Sequence, residues 1–468
     1  MTSEQLADPS GHSFDPSILR EYDVRGLVGE TLFTEDARAL GRVVATKVRR
    51  NGGIRVVVGY DGRHSSPELE AALVAGILSS GIDVDRIGLG PTPMLYYAVH
   101  ALDADGGVMV TGSHNPPDYN GFKLVIGKQA VFGEDIRELG RMAANGDYLQ
   151  GEGEVQDHEL LEAYVSRLLR DYEGPKDLKV AWDAGNGAAG VAMERLCEQL
   201  PGRHILLNQR IDGAFPAHHP DPTVAENLQQ LIQTVRDEGC DLGIAFDGDG
   251  DRIGAVDSQG RILWGDQLML LLSRDVLKAQ PGATIIADVK ASQVLFDGIA
   301  ALGGQPLMWK TGHSLIKAKM QETGAPFAGE MSAHLFFADR FYGHDDALYA
   351  AVRLLSALDT WGDSLAAFRD SLPPIVNTPE LRFPCTDERK QAVIQEVKER
   401  LETRNDAEVN AIDGVRVSED GGWWLLRASN TQDVLVARCE AGDEETLERL
   451  KGRLKEQLHL SGVEIPDS

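Results

Sequence analysis

The residues best suited to chemistry lie in a few short stretches. One is Thr111-Gly112-Ser113-His114-Asn115-Pro116-Pro117. It follows an apolar run, Gly107 to Val110, which reads as a short buried strand. The strand stops at Gly112, where a residue without a side chain turns most cheaply. Ser113 is thereby placed on a loop at a strand end, beside His114. Lys123 follows on a second apolar run, Phe122 to Ile126. A hydroxyl, an imidazole and an ammonium gathered there could hold and pass on a phosphoryl group. For a Ser-His pair alone, a polar turn stopped by proline is the plainer reading.

The strongest signal is Asp247-Gly248-Asp249-Gly250-Asp251-Arg252, after the apolar strand Leu242 to Phe246. Carboxylates at alternate positions, separated by glycine, can aim their oxygens at one point, which suits a hard divalent cation. An EF-hand loop fails, because its sixth position is Arg252 and its twelfth Ser258. With Asp247, Asp249 and Asp251 as ligands, the ion keeps room for water or a phosphate oxygen, as magnesium prefers.

Further along, Gly329-Glu330-Met331-Ser332-Ala333-His334, if extended, puts Glu330, Ser332 and His334 on one face. Such a face suits a polyhydroxylated ligand, and a half-solvated strand fits equally well. Arg427-Ala428-Ser429-Asn430-Thr431 lies between two strands and offers an arginine, short polar side chains and loop amides to an anion. Lys310-Thr311-Gly312-His313 opens a helix whose N-terminus attracts anions. His313 by itself reads as a surface cap. The pair His218-His219 sits between prolines and receives no role.

These loops need a frame. A strand, an Asp/Gly loop and a helix recur in that order. Ile54 to Gly59 runs into Asp61-Gly62-Arg63 and a helix with Ser66 as N-cap and Pro67 in its first turn. Leu178 to Trp182 enters Asp183-Ala184-Gly185, and Ala283 to Ala287 enters Asp288-Val289-Lys290. Strands alternating with helices predict α/β sheets, and similar starts predict three related domains. Beyond Leu372-Pro373-Pro374 the pattern changes to a charged helix, two apolar strands and a last helix, an α+β module. The expected domains are 1–156, 157–260, 261–371 and 372–468, with an amphipathic helix from Asp157 to Asp171 opening the second.

Composition sets outer limits. The chain has 468 residues, 42% hydrophobic and 25% charged, as in ordinary globular proteins of several domains. A net charge of −27 disfavours nucleic acid and anionic membranes as partners. Cys197, Cys240, Cys385 and Cys439 form no metal pattern. No apolar run approaches membrane-spanning length, and the first sixteen residues hold no apolar signal core. A cytoplasmic protein with reduced thiols, acting as a monomer, is the expectation.

Taken together, the residues resemble the α-D-phosphohexomutase family, in its bacterial phosphomannomutase/phosphoglucomutase branch. The resemblance runs from about Ile18 to about Leu458. It rests on Tyr22-Asp23-Val24-Arg25-Gly26, Thr111 to Lys123, Asp247 to Arg252, Gly329 to His334 and Arg427 to Thr431. It implies three mixed α/β domains and a smaller fourth around one cleft. It implies that Ser113 is the phosphoserine, that Asp247, Asp249 and Asp251 bind one Mg2+ with Ser113, and that glucose 1,6-bisphosphate is an activator. Glu330 and Ser332 would take sugar hydroxyls, with His334 nearby. Arg427, Ser429, Asn430 and Thr431 would hold the unreacting phosphate. Tyr22, Arg25, Lys123, Arg252, Lys290 and His313 would line the transfer site, with His114 beside the serine. Ala333 stands where the family has glycine, and Gln432-Asp433 replaces Thr-Pro.

The reaction so implied interconverts hexose 6-phosphate and hexose 1-phosphate, of mannose and glucose, through a 1,6-bisphosphate. Lys123 is the candidate for proton handling, provided cationic neighbours such as Arg25 lower its pKa. The rivals are a phosphoglucosamine mutase and, from another class, a metal-dependent sugar phosphatase. Met331 and Asn430 favour the mannose/glucose branch.

Overall fold

The computed structural model describes residues 11–465, apart from 176, 403–406 and 431. Its strands form four sheets. In the first, Val24–Leu27, Tyr119–Ile126, Gly106–Val110, Arg55–Tyr60, Asp83–Leu89 and Val155–Asp157 lie side by side. Arg55–Tyr60 runs parallel to both neighbours, whereas Tyr119–Ile126 pairs antiparallel with Gly106–Val110 and Val24–Leu27. The run Val56-Val57-Val58 suits a strand covered on both faces. Val56 and Val58 enter one apolar cluster and Val57 another, as alternation requires.

The second sheet orders Ile262–Leu263, Ile253–Asp257, Leu242–Phe246, Lys179–Asp183 and Arg203–Leu207. The third orders Gln305–Trp309, Thr284–Asp288, Phe327–Gly329 and Leu335–Phe337. In the fourth, Val434–Ala441 pairs antiparallel with Val376–Asn377, Leu381–Pro384 and Gly422–Ala428. One continuous apolar cluster joins the first three units, from Leu95 through Trp182 and Leu271 to Leu348 and Leu354. The fourth unit has its own core, around Val393, Trp424, Leu426 and Leu450. A small cluster of Val289, Trp423 and Leu425 joins it to the rest. At this joint Arg416 donates to the carbonyls of Val289 and Ala291 at 2.7 and 2.8 Å. Ser292 and Trp423 both donate to the buried Glu440 carboxylate at 2.9 Å.

Two local expectations are corrected. Ser66 is the first residue of the helix Ser66–Leu78, and its hydroxyl donates to Asp61 Oδ1 at 2.6 Å instead of capping. A buried carboxylate is the stronger attraction. The helix expected from Asp157 starts at Leu161, because Val155–Asp157 pairs with Val84–Arg86 at the edge of the first sheet. Ile262–Leu263 pairs with Ala255 and Val256 at the edge of the second sheet.

Candidate active site

Strand Gly106–Val110 delivers Ser113, and a second loop holds it in place. Asp61, just beyond strand Arg55–Tyr60, accepts from Thr111 Oγ1 at 2.9 Å and from the Gly112 amide at 3.1 Å. Arg63, which is 1% exposed, lies beneath the loop. Its guanidinium donates to the carbonyls of Ser113, Asn115, Pro116 and Tyr119 at 2.7, 2.6, 2.5 and 3.0 Å. A Cβ at Gly112 would lie 2.5 Å from Arg63 Cζ, so only glycine lets the loop settle on this cation. Ser113 itself has φ +50°, in the left-handed region that non-glycine residues seldom occupy. The loop is held in a costly conformation by partners that over-determine it. Ser113 Oγ lies 3.2 Å from His114 Nδ1 and 3.3 Å from Asp247 Oδ2.

Asp247, Asp249 and Asp251 are fully buried on the turn between strands Leu242–Phe246 and Ile253–Asp257. Asp247 Oδ1 accepts the amides of Gly250, Asp251 and Arg252 at 3.0, 3.0 and 3.1 Å, which curls the turn around it. Gly248 lets the turn meet the serine loop, since a Cβ there would lie 2.4 Å from the Ser113 carbonyl oxygen. Asp249 Oδ2 accepts from Thr92 at 2.6 Å and Thr111 at 3.2 Å. Asp249 Oδ1 and Asp251 Oδ1 have no hydrogen-bond partner among the described residues. Oxygens of the three carboxylates lie within 4.8 Å of one another. Such buried carboxylates cannot all ionise without a cation. Burial, then Asp251 and Asp249, push Asp247 well above the usual carboxylate range. Asp249 is driven down by Lys123 although burial opposes it. This donor set fits a divalent metal, with two orphaned oxygens and Ser113 Oγ beside it.

Lys123 departs from its expected surroundings. Its ammonium donates to Asp249 at 2.7 Å and also to Asp251. Burial disfavours its charge, but these carboxylates outweigh burial and raise its pKa well above the ordinary value. The expected lowering by cationic neighbours is absent. Arg25 instead donates to Asn115 Oδ1 at 2.7 Å and pairs with Asp23. Arg252 Nε donates to His334 Nε2 at 3.0 Å, and the two residues also form a backbone bridge between the second and third units. His313 is no surface cap. Its ring stacks on that of His334 with centroids 5.5 Å apart, and burial lowers its pKa well below the usual value. Burial and then Arg252 do the same to His114.

Residues 330–334 form a turn between Phe327–Gly329 and Leu335–Phe337, not an extended segment. The Ala333 amide donates to the Glu330 carbonyl at 2.8 Å, and the Glu330 amide to that of His334 at 3.0 Å. The turn still gathers Glu330 and His334, both buried, while Ser332 is half-buried. Glu330 Oε1 accepts the Gly312 amide at 2.7 Å, which ties the turn to the helix His313–Thr323.

A second cationic group stands at the joint with the fourth unit. Arg427 Nε donates to Asp413 at 3.0 Å. Lys390 supports the loop from below, donating to the Ser429 carbonyl at 2.6 Å and that of Gln432 at 3.1 Å. Tyr22 and Lys290 belong to this end rather than to Ser113. The Tyr22 hydroxyl donates to the Thr311 carbonyl at 2.8 Å and meets the Asn430 amide, and Lys290 Nζ lies 3.6 Å from Glu380. Thr431 lies outside the described residues, and Asp433 is exposed.

The chain matches the four consecutive domains described as phosphoglucomutase/phosphomannomutase: alpha/beta/alpha domains I, II and III over residues 16–142, 162–260 and 264–375, and the C-terminal domain over 380–457. It belongs to the phosphoglucomutase/phosphomannomutase family. It is 46% identical over 451 residues to a phosphomannomutase/phosphoglucomutase of Pseudomonas aeruginosa, covering 96% of this chain and 97% of that protein. It is 41% identical over 446 residues to a phosphoglucomutase of Neisseria gonorrhoeae, covering 95% and 97%. A crystal structure of a phosphoglucomutase/phosphomannomutase family protein from Burkholderia thailandensis superposes with a TM-score of 0.92 at 42% identity, covering 97% of this chain and all of that one.

Within this family fold, several contributors to the site were not singled out from sequence: Arg63, Thr92, Lys317, Asp345, Lys390 and Asp413. Asp61-Gly62-Arg63 stood out as a strand-end loop but carried no stated role. Ala333, the departure from glycine, has φ +64° and its methyl group is buried. Ala333→Gly relieves the left-handed cost but loses a buried methyl and backbone order. It is therefore expected to change stability by less than ~1 kcal/mol. Ala333→Val adds a β-branched side chain at positive φ and is expected to cost at least ~2 kcal/mol. Urea denaturation of the two variants checks both.

Proposed function

We propose that the chain interconverts hexose 6-phosphate and hexose 1-phosphate, of mannose and glucose, through a phosphoserine at Ser113 and a 1,6-bisphosphate. The observation that carries this reading is a pair of sites. Ser113 lies beside the buried carboxylates, and Arg427 stands on a separate unit, linked to the first through Tyr22 and Asn430. A hydrolase needs the first site alone. A mutase needs the second to hold one phosphate while the other reacts. The names of the Pseudomonas and Neisseria relatives support the same reading.

In the forward half-reaction the bond from phosphorus to Ser113 Oγ breaks as a sugar hydroxyl oxygen bonds to phosphorus. The hydroxyl proton passes to a base, for which Lys123 and His334 are the candidates. The bisphosphate turns end for end, and its other phosphoryl group returns to Ser113. Arg427, Ser429, Asn430 and Thr431 hold the idle phosphate, and Glu330 and Ser332 hold sugar hydroxyls. Asp247, Asp249, Asp251 and Ser113 would hold one Mg2+, which supplies charge neutralisation at the serine oxygen. Glucose 1,6-bisphosphate would restore the phosphoserine when it is lost. The chain acts as a cytoplasmic monomer without nucleic-acid or membrane partners. No helix of the described residues is long and apolar enough to cross a membrane.

Coupled assays with mannose, glucose and glucosamine 1-phosphates test the reading, together with intact mass after incubation with glucose 1,6-bisphosphate. Isomerised sugar phosphate and a chain one phosphoryl group heavier are expected. Free hexose and inorganic phosphate as the main products would sink it. Adding Mg2+ is expected to raise the melting midpoint of the first three units by a few degrees, on the order of 1–3 kcal/mol at saturation. Asp249→Asn should remove most of that shift in a calorimetric titration.

A further inference from the structure

Between the strands Glu408–Asn410 and Val415–Glu419 of the fourth sheet the chain turns through Ile412-Asp413-Gly414. Val415 pairs with Leu426, which brings this turn against the strand that carries Arg427. Gly414, at φ +80°, permits the approach: a Cβ there would lie 2.4 Å from the Leu426 carbonyl oxygen and 2.6 Å from Arg427 Cβ. Asp413 is thereby set directly beside Arg427, which is buried. Its Oδ2 accepts from Arg427 Nε at 3.0 Å, and its Oδ1 lies 3.4 Å from Nη2. Arg427 Nη1 donates to none of the described residues.

The same Oδ2 accepts the Thr311 amide at 3.0 Å, across the joint between the fourth and third units. A carboxylate oxygen has two lone pairs, so it serves both donors at once. The Thr311 carbonyl accepts from the Tyr22 hydroxyl of the first unit at 2.8 Å, and the next amide, that of Gly312, donates to Glu330 Oε1 at 2.7 Å. The segment that Asp413 grips is thus fixed on its other sides, just ahead of the helix His313–Thr323. We propose that Asp413 is a positioning residue that holds Arg427 by its Nε–Nη2 edge, leaves Nη1 for the idle phosphate, and registers the arginine against the third unit through Thr311. This deepens the mutase reading and rests on it for the identity of the phosphate. A free arginine side chain visits many rotamers, and fixing one edge of its fork removes that cost before the ligand arrives. Asp413 touches no substrate. It acts on affinity through Arg427 alone.

The test titrates glucose 6-phosphate calorimetrically into the full chain carrying Ser113→Ala, which stops turnover. Asp413→Ala is expected to raise Kd by ~10-fold or more. Asp413→Asn should raise it by less than ~3-fold, because the amide oxygen can replace Oδ2 for both Arg427 Nε and the Thr311 amide, and only the long contact to Nη2 is lost. In an Arg427→Ala background, Asp413→Ala should raise Kd no further, since without the guanidinium the carboxylate only repels the phosphate. An equal rise with and without Arg427 would mean a general loosening of the joint and overturns the proposal. So does an unchanged Kd for Asp413→Ala, or a lower one, which would make Asp413 a competitor of the phosphate. A second measurement needs no Asp413 variant. The 15N signal of Arg427 Nε–H, assigned by its absence in Arg427→Lys, should move little when glucose 6-phosphate is added, because Nε stays with Asp413. A large shift would hand Nε to the phosphate and sink the idea. Binding is read without turnover, so failure of the mutase reading would appear separately, in the products of the coupled assay.

Discussion

Ser113→Ala is expected to lower hexose phosphate turnover by ~10⁴-fold or more and to abolish the gain of a phosphoryl group on incubation with glucose 1,6-bisphosphate. The substitution removes the hydroxyl proposed to carry the group, which lies 3.3 Å from the buried Asp247 carboxylate. It should leave the fold almost unchanged. Among the described residues, Ser113 Oγ has His114 Nδ1 and Asp247 Oδ2 as its hydrogen-bond partners, at 3.2 and 3.3 Å. The backbone strain at φ +50° is shared by serine and alanine. Stability within ~1 kcal/mol of wild type is therefore expected. Initial rates, intact mass and urea denaturation on the same preparation separate the two effects. A variant retaining full turnover would leave Ser113 without a role.

Arg63→Met is expected to have the largest effect on stability, a loss of ~3–5 kcal/mol together with most of the activity. The guanidinium satisfies four carbonyls of the serine loop and lies 3.2 Å from the Asp61 carboxylate. Methionine fills a similar volume but leaves those acceptors without their donor and the buried Asp61 carboxylate without its counter-charge. The loop would lose the template that holds Ser113 in its left-handed conformation. Arg63→Lys should recover little, because one ammonium cannot reach four acceptors spread in a fork. Denaturant midpoints for the two variants decide the matter: near-wild-type midpoints would mean that the loop holds its own shape.

Arg63 also shows where reading the sequence runs out. The strand Arg55–Tyr60 was legible because Val56-Val57-Val58 has few other uses. The carboxylate turn was legible because its ligands are neighbours in the chain, so spacing alone implies convergence. Arg63 acts on carbonyls some fifty residues away, and Asp345 on side chains brought by a helix and a turn from elsewhere in the third unit. No local pattern marks such residues. The segment Glu330 to His334 was misread for a different reason. Alternating polar residues imply a strand only if nothing bends the chain, and Ala333 at φ +64° bends it. Lys123 was found, but its neighbours were not. Its role was made conditional on cationic neighbours such as Arg25, whereas the fold places it against Asp249 and Asp251.

The division of the apolar cores bears on how the molecule responds to heat. The first three units share one cluster of buried side chains besides clusters of their own, whereas no part of the fourth enters that shared cluster. Cooperativity follows shared packing, so the first three should melt as a block while the fourth, held by the small joint at Val289, Trp423 and Leu425, need not follow at the same temperature. A calorimetric trace of the whole chain then contains two overlapping heat-absorption peaks, and a single van't Hoff enthalpy fitted to it would fall short of the total heat.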